Sequence, residues 1–524
     1  MKKFCVILAL IICAATAAHA RELNVIPAPQ TVVVCEGAYP VHGSAPVAGT
    51  DTCPRAAAAL AAFLPGPGTA VDIPGNGIVF EKTRDTGLGP EGYMLDVTPG
   101  QLRIRAAEPA GAFYAVQTLR QIGQAGDGVF TVPCVSITDA PRFKWRGLMI
   151  DVVRHFQPKE EIFKFLDAMA LFKMNTLHLH LTDDQGWRLE IEAFPQLTEI
   201  GSRRDASTKF DFCMSPAGPA HQGYYTKEDM REIIAYARAR FITIVPEIEM
   251  PGHATASIAS VRGLSCLNKR FKVSNCWGVH PDVFCAGEDR VFEFLEIVLA
   301  EVAELFPGPT IHIGGDEVPK DRWKVCHKCQ ERMREQGLED EDALQSWFIA
   351  RIETYVNSLG KQIIGWDEIL EGGLPPRASV MSWRGMQGGV AAAMEGHDVV
   401  MSPTSHCYFD YRQVEDRESE PTAIGNAVTT LRETYGFEPV PGDIPQAARK
   451  HILGTQGNLW TEYIVEAEHL QYMAFPRALA LAEVAWSPQD KRNWHSFTRR
   501  LPAALALLDG MGVNYREPRD GELD

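Results

Sequence analysis

Beyond residue 20, the sequence contains no apolar run that approaches the roughly 20 residues needed to cross a bilayer. It is also short of positive charge, since 51 Lys and Arg against 67 Asp and Glu give a formal net charge of −16. We therefore expect no membrane insertion, and the acidic balance disfavours nucleic acid and acidic lipid surfaces as partners. A hydrophobic content of 45% over 524 residues is enough for a large core divided between two domains.

The first 20 residues differ from the rest. Lys2 and Lys3 precede a short apolar run at residues 4–15, and Ala18-His19-Ala20 forms a small-x-small cleavage site. This pattern predicts a cleaved signal peptide over residues 1–20 and export to the periplasm or the extracellular medium. Loss of the two lysines would shift the formal net charge from −16 to −18.

Pairs of metal ligands are scarce as well. Cys326 and Cys329 have the spacing of half a zinc site, but no second Cys/His pair at ligand spacing accompanies them, so zinc is not expected. A local disulfide or free thiols are predicted there instead. An exported chain can form disulfides. The candidate pairs are Cys35 with Cys53, or two among Cys266, Cys276 and Cys285.

Residues 21–140 predict a small α+β domain. Short alternating segments at 77–81, 92–97 and 101–106 are typical of strands, whereas residues 56–64 and 111–122 predict helices. This part of the chain shows no catalytic constellation. We therefore expect it to support the domain that follows.

From residue 141 to residue 510 the sequence repeats a strand, a polar loop and a helix, and residues 511–524 form a tail. Eight strand-like segments begin near Gly147, Thr176, Ile242, Thr310, Gln362, Ser379, Asp398 and Ile452. Eight such units predict a (β/α)8 TIM barrel, an α/β fold whose active site lies at the carboxyl ends of the strands. The fifth, sixth and seventh strands are so close in sequence that their crossovers should be irregular.

Residues 310–319 join a short apolar strand to two adjacent carboxylates, Asp316 and Glu317. Neighbouring side chains of a strand point to opposite faces, so both can enter one pocket only if the backbone bends, which Gly314 and Gly315 allow. Most glycosidases place two carboxyls on opposite sides of the scissile bond, and adjacent residues do this poorly. In sugar chemistry, one carboxyl would be the acid/base while the other steers an attacking group of the substrate. A helix N-terminus also favours acidic residues, so the pair alone does not decide the chemistry.

Aromatic and charged residues follow the strands at this predicted rim. They are Asp151, Arg154, Asp183, Asp184, Trp187, Glu247, Glu249, His253, Trp366, Asp367, Trp383, Arg384, His406, Tyr408, Asp410, Trp460 and Glu462. Sugars bind to aromatic platforms with charged partners beside them, so the pattern indicates a carbohydrate site. His178 and His180 alternate with leucines, and we expect them inside the barrel rather than at a metal.

At these residues the chain resembles the family 20 glycoside hydrolases, the β-N-acetylhexosaminidases. The similar segments run in the family's order through both predicted domains: 91–93, 111–114, 151–156, 180–187, 246–253, 312–317, 365–368, 382–384, 408–410 and 458–462. The resemblance implies an exo-acting enzyme that releases terminal N-acetylglucosamine or N-acetylgalactosamine from β-linked glycans. It also implies a retaining mechanism in which the substrate's 2-acetamido oxygen forms an oxazolinium intermediate, without a metal or other cofactor.

The resemblance assigns roles to three catalytic residues. Glu317 would protonate the leaving oxygen and later activate water, Asp316 would hold the acetamido N–H, and Tyr408 would donate to the acetamido oxygen. The remaining assignments concern binding. Trp366, Trp383 and Trp460 would wall the pocket; Arg154, Asp410 and Glu462 would bind hydroxyls; His253 and Asp183 would tune Glu317.

Three alternatives stay open from the sequence. One is a lacto-N-biosidase-like enzyme of the same fold that releases a disaccharide. Another is a metal-dependent barrel hydrolase built on His178, His180 and His253, and the third is a sugar-binding protein without catalysis. The segments 202–222 and 415–434 are expected to shape the leaving-group side. Sugar preference, the natural glycan and the oligomeric state do not follow from the sequence.

Overall fold

The computed structural model describes residues 23–42, 47–64, 77–83, 87–126, 128–208, 218–519 and 521–524. The predicted signal peptide lies outside these residues. Among the described helices, none combines the length and the apolar character that crossing a bilayer requires.

The first domain is a mixed sheet covered by helices. Its elements are β1 Thr31–His42, β2 Val47–Ala48, α1 Pro54–Ala61, β3 Gly77–Lys82, β4 Tyr93–Val97, β5 Gln101–Ala106, α2 Pro109–Ile122, β6 Gln124–Gly126 and β7 Val129–Asp139. The strand order is β1-β7-β4-β5-β3-β2, with β6 also paired to β7. The alternation that predicted β5 has the expected effect, because every second side chain of that strand is buried. The long strands β1 and β7 were not predicted.

The second domain begins at Trp145. Its elements are β8 Trp145–Asp151, α3 Lys159–Leu171, β9 Thr176–His180, β10 Thr182–Asp183, β11 Gly186–Trp187, α4 Gln196–Glu199, β12 Arg203–Arg204, β13 His221–Gln222, α5 Lys227–Ala239, β14 Thr243–Glu247, α6 Thr255–Ser260, α7 Asp289–Leu305, β15 Thr310–His312, α8 Asp321–Val325, α9 His327–Gln336, α10 Glu341–Ser358, β16 Gln362–Trp366, β17 Ser379–Ser382, α11 Gln387–Glu395, β18 Val399–Met401, α12 Thr404–Cys407, α13 Leu431–Gly436, α14 Gln446–Arg449, β19 Ile452–Leu459, α15 Ala467–Ala474, α16 Arg477–Trp486 and α17 Trp494–Gly510.

Eight of these strands close a parallel barrel in the order β8-β9-β14-β15-β16-β17-β18-β19, which confirms the predicted (β/α)8 fold. The eight strands lie where the sequence placed them. The crossover from β16 to β17 contains only a 3-10 helix at Asp367–Leu370, as its short spacing required. His178 and His180 of β9 are fully buried, and both contact the Glu247 carboxylate of β14 inside the barrel.

Two ion pairs, one fully and one partly buried, join the domains. Arg146 at the start of the barrel donates to Glu91 of the first domain, with Nη2 2.7 Å from Oε1. Lys173, which follows α3, places its Nζ 2.9 Å from Asp139 Oδ2 at the end of β7. Asp139 also accepts a hydrogen bond from Trp486 of α16. The first domain is therefore anchored to the base of the barrel by matched charges.

The cysteines correct two expectations. Cys35 and Cys53 are both free thiols, so the proposed bridge between them is wrong. Cys266 and Cys285 are also free, whereas Cys276 is disulfide-bonded, so no pair forms within that trio. Cys326 and Cys329 are both free thiols, which is one of the two outcomes predicted for them, but Cys266 and Cys285 converge on them, at sequence separations that concealed the group.

Candidate active site

A cavity of about 830 Å³ opens at the carboxyl end of the barrel strands. The eleven residues to which the family resemblance assigned roles all line it: Arg154, Asp183, His253, Asp316, Glu317, Trp366, Trp383, Tyr408, Asp410, Trp460 and Glu462. They converge because the strands are parallel, so the residues that end each strand lie at one rim of the closed barrel.

The backbone turns sharply below the two adjacent carboxylates. β15 ends at His312, and Gly314, Gly315 and Glu317 have φ angles of 66°, 92° and 48°. A Cβ atom on Gly314 would lie 1.8 Å from Glu249 Oε2, so this position admits only glycine. The bend that the sequence analysis required is therefore present, and both Asp316 and Glu317 face the cavity. The left-handed φ of Glu317 costs of order 1–3 kcal/mol, a strain that concentrates at functional sites.

His253 connects the two carboxylates. Its Nε2 lies 3.6 Å from Asp316 Oδ2 and 3.5 Å from Glu317 Oε2. Its Nδ1 faces Asp183 Oδ1 at 3.1 Å and Asp184 Oδ2 at 3.2 Å. Burial lowers the pKa of His253, but its contacts with Asp183 and Asp184 outweigh burial and raise that pKa well above the usual value. His253 therefore places a positive charge between Asp316 and Glu317 on one side and Asp183 and Asp184 on the other.

Asp316 and Glu317 occupy different environments. Asp316 is buried, and burial, with smaller contributions from Glu247 and Glu317, raises its pKa to about 6 against the opposing effect of His253. Its Oδ1 has no hydrogen-bond partner among the described residues. The Glu317 side chain is 40% exposed, and its contact with the His253 imidazole lowers its pKa. One carboxyl is thus enclosed with an unused acceptor, while the other reaches the opening.

Carboxylates hold Arg154 at the deep end of the cavity. Its Nη2 is 2.7 Å from Asp183 Oδ2, and its Nη1 is 3.1 Å from Asp151 Oδ2 and 3.7 Å from Glu462 Oε1. Nearby, burial and the Glu462 charge raise the pKa of Asp410 well above its usual value, and Asp410 Oδ1 lacks a hydrogen-bond partner within the described chain. This end presents a cationic donor beside the Asp410 carboxyl, which retains a free acceptor position, and the combination is suited to hydroxyl groups.

Aromatic side chains form the walls. The ring centroids of Trp366 and Trp460 are 5.8 Å apart, and those of Trp383 and Tyr408 are 6.1 Å apart at an interplanar angle of 24°. Trp366 donates to Glu247 Oε1 over 2.8 Å, and this bond fixes the ring at the end of β16. The result is a pocket with apolar faces and a polar floor, which matches the amphipathic surface of a sugar ring.

The cavity also contains residues to which the sequence analysis gave no role. Glu249 was noted only as a strand-end carboxylate. Both of its carboxylate oxygens lack partners among the described residues, and burial together with the Asp316 charge raises its pKa well above the usual value. Trp277, Val279 and Tyr411 also line the cavity. No local pattern marks Trp277, because it lies in an irregular loop thirty residues beyond the end of β14.

The two segments expected to shape the leaving-group side, 202–222 and 415–434, differ in what the structure describes. Part of 415–434 forms a cavity wall, namely Arg417 and the residues 420–425. Residues 209–217 of the other segment lie outside the described residues. The three histidines of the metal-hydrolase alternative do not converge on one point, because His178 and His180 contact Glu247 whereas His253 faces Asp183.

Comparison with known proteins gives matches over both domains. The family model "Glycosyl hydrolase family 20, catalytic domain" matches residues 143–489, and "Glycosyl hydrolase family 20, domain 2" matches residues 22–140. A β-hexosaminidase of Porphyromonas gingivalis is 48% identical over 452 residues. The match covers 85% of this chain but 57% of that longer relative.

Solved structures agree with these matches. An exo-β-N-acetylglucosaminidase of Vibrio harveyi in complex with N-acetylglucosamine superposes with a TM-score of 0.83 at 33% identity, covering 96% of this chain and 79% of the other. A β-N-acetylhexosaminidase of Bacteroides fragilis gives a TM-score of 0.84 at 30% identity, with 95% and 98% coverage. Sequence, fold and pocket agree, and the chain belongs to glycosyl hydrolase family 20.

Proposed function

We propose that the protein is an exo-acting β-N-acetylhexosaminidase that releases terminal, non-reducing β-linked N-acetylglucosamine or N-acetylgalactosamine from glycans. One observation carries the proposal: Asp316 and Glu317 both contact the same atom, His253 Nε2, at 3.6 Å and 3.5 Å. The two carboxyls therefore lie side by side on one wall instead of flanking a sugar.

The pair does not fit the inverting arrangement of two carboxyls, which leaves retention of configuration. One oxygen of each carboxyl lies within 4.8 Å of the other, whereas inverting glycosidases keep their carboxyls about 6.5–9.5 Å apart to admit a water molecule. A retaining enzyme needs a nucleophile. Because Asp316 lies beside the acid/base rather than across from it, the substrate's own 2-acetamido oxygen is the better candidate for attack.

The residues then divide the reaction as follows. The acetamido oxygen bonds to the anomeric carbon as the glycosidic bond breaks, and Glu317 gives its proton to the leaving oxygen. Asp316 accepts a hydrogen bond from the acetamido N–H and balances the positive charge of the oxazolinium ring, while Tyr408 donates to the acetamido oxygen. Water then attacks the anomeric carbon, which opens the oxazolinium ring, and gives a proton to the Glu317 carboxylate. One water molecule is consumed, and the enzyme is regenerated.

Glu317 needs a proton for the first step. In the free protein His253 lowers the pKa of Glu317, whose side chain is 40% exposed. A bound glycan would cover that side chain and exclude water, which raises the pKa of a carboxyl. Substrate binding therefore favours the protonated form at the moment when it is used.

The deep end of the cavity supports release of a single sugar. Arg154 is tied to Asp183, Asp151 and Glu462, and its guanidinium lies 5.1 Å from the Trp460 ring centroid. A disaccharide-releasing enzyme would need space where this group stands. We assign Arg154, Asp410 and Glu462 to the hydroxyls of the terminal sugar, and Trp366, Trp383 and Trp460 to its ring and acetamido methyl group.

The test compares initial rates on an aryl β-N-acetylglucosaminide and the matching aryl β-glucoside, which lacks the acetamido group. Hydrolysis of the first alone is the expected result. Comparable rates on both would overturn the substrate-assisted mechanism, because an enzyme nucleophile would then exist. Release of a disaccharide from an aryl lacto-N-bioside, with no activity on the monosaccharide substrate, would overturn exo-acting release of one sugar.

We also propose export through a cleaved signal peptide, supported by the charge, apolar run and cleavage pattern of residues 1–20. N-terminal sequencing of the protein recovered from its native host should begin near Arg21. A chain that retains Met1 and stays in the cytoplasm would contradict this proposal.

A further inference from the structure

Four free cysteines gather beside the catalytic turn, outside the sugar cavity. Cys266 and Cys285 come from the long loop between α6 and α7, whereas Cys326 and Cys329 lie at the start of α9. The sulfur–sulfur distances are 3.7 Å for Cys266–Cys329, 3.8 Å for Cys285–Cys326 and 3.6 Å for Cys285–Cys329. All four sulfurs lie within 4.8 Å of one another.

These distances match a metal tetrahedron. A zinc ion bound by four thiolates has Zn–S bonds of about 2.3 Å, and the edges of such a tetrahedron are about 3.8 Å long. A disulfide would need sulfurs about 2.05 Å apart. The sulfur–sulfur distances are therefore those expected for four ligands of one metal ion. We propose that Cys266, Cys285, Cys326 and Cys329 bind one structural zinc ion.

The local backbone is arranged as a support for such an ion. The Cys285 amide donates to Leu264 O over 2.8 Å, and the neighbouring residues Ser265 and Phe284 form an antiparallel bridge that holds the first two cysteines side by side. The Gly287 amide donates to the Cys285 sulfur, a bond that stabilises and orients a thiolate ligand. Two ligands thus come from the two ends of one loop, which this bridge closes.

The second pair comes from a helix start. Cys326 immediately precedes α9, and Cys329 lies in its first turn, so the C-x2-C spacing and the positive end of the helix both suit thiolates. The chain just after Cys285 touches the helix at Gly287, where a Cβ atom would lie 2.1 Å from the Lys328 carbonyl carbon. Only glycine permits the approach that brings the two pairs together.

Burial also fits a closed structural site. Cys285 and Cys329 are almost fully buried, and Cys266 and Cys326 are half-buried. Trp323, which is fully buried, donates its Nε1–H to the backbone O of Phe284, the neighbour of Cys285, over 2.9 Å. Four protein ligands leave no open position for water or substrate, which distinguishes a structural zinc ion from a catalytic one.

The position of the site defines its role. The loop that carries Cys266 and Cys285 also delivers Trp277 and Val279 to the sugar cavity, and α9 follows the turn that carries Asp316 and Glu317. Cys266 and Cys329 are separated by 63 residues, and Cys285 and Cys326 by 41. Zinc would clamp two cavity-forming loops to each other, and its loss should loosen the leaving-group side more than the buried floor.

The first experiment uses the unaltered, full-length protein purified without chelator. Elemental analysis by mass spectrometry should find about one zinc per chain, and titration of the thiols with an organomercurial should release that zinc in step with modification. Cobalt substitution should produce the intense absorption of a tetrahedral tetrathiolate site. Iron in place of zinc, or no metal with four reactive thiols, would overturn the assignment.

The intact mass of the denatured, non-reduced protein tests the competing chemistry. Two disulfides among these four cysteines would lower the mass by four hydrogens relative to four thiols, and that result would overturn the proposal. A zinc-bound protein should show all four cysteines available to alkylation once it is unfolded with chelator.

Variants localise the site. Cys326→Ser should lower the zinc retained after dialysis against a chelator by at least tenfold and lower the melting temperature, while Cys35→Ser, at an exposed free cysteine outside the group, should change neither. Equal zinc retention in the two variants would place the metal elsewhere. If Cys326→Ser does not fold, the metal, thiol and mass measurements on the unaltered protein still decide the question.

Discussion

The junction between the two domains and the floor of the sugar cavity both bury charged side chains, yet they treat charge differently. At the junction, Arg146 is paired with Glu91 and Lys173 with Asp139, and none of these four side chains has a buried polar atom without a partner. At the cavity, carboxyls outnumber cations, and Asp316, Asp410 and Glu249 have pKa values raised above their usual ranges. Matched charges secure a fold, whereas surplus carboxyls with free acceptor atoms indicate a site that awaits a ligand.

The largest expected effect concerns the acid/base. Glu317→Gln should lower kcat/KM by up to about 10⁴-fold for substrates with poor leaving groups, and far less for activated aryl substrates, because departure of a good leaving group needs little proton donation. Initial rates over a series of aryl leaving groups measure the difference. Equal losses along the series would contradict the role of Glu317.

Removing one partner of an ion pair at the domain junction should lower stability rather than activity. Lys173→Met leaves the Asp139 carboxylate buried without its cation and should lower the free energy of unfolding by about 3–5 kcal/mol, with kcat of the folded protein unchanged. Denaturant unfolding measures the loss. Lys82→Met is the matched control, since the ion pair of Lys82 with Glu108 is exposed and should contribute less than about 1 kcal/mol. Similar losses for both variants would remove the contrast between buried and exposed pairs.

Asp316→Asn should have the opposite profile to Lys173→Met. Removing one member of a crowded carboxylate group relieves repulsion, so stability should not fall. Loss of transition-state stabilisation should raise the activation free energy by about 2.7–4 kcal/mol, which lowers kcat about 10²–10³-fold. Paired measurements of kcat and unfolding free energy on the same preparation test this. Near-normal rates would refute the substrate-assisted role of Asp316.

The smallest effect is a pH dependence. Burial raises the pKa of Asp316 to about 6, and the ionised form is the one that balances the oxazolinium charge. For an activated aryl substrate, kcat/KM should reach its maximum above this pKa and fall about tenfold for each pH unit below it. His253 keeps its charge through this range because its pKa lies well above the usual value. The acidic limb should be absent in Asp316→Asn, and an unchanged limb there would assign it to another group.

The sequence was sufficient for the barrel and for the strand-end residues of its cavity. Polar residues directly follow each predicted strand along the chain. Closure of a parallel barrel necessarily brings those positions to one rim. The bend below Asp316 and Glu317 was equally legible, because two glycines preceded two carboxylates that had to share a pocket. These inferences needed only local periodicity and the direction of the strands.

Only the tertiary structure decided the remaining features. Trp277 reaches the cavity from an irregular loop, Glu249 has a raised pKa because burial and Asp316 surround it, and Cys266 and Cys285 meet Cys326 and Cys329 across separations of up to 63 residues. Each depends on distances across the closed barrel and on the water that packing excludes. Neither these distances nor the exclusion of water can be read from local spacing. The sequence therefore determined which residues follow each strand, while the tertiary structure determined which residues come into contact.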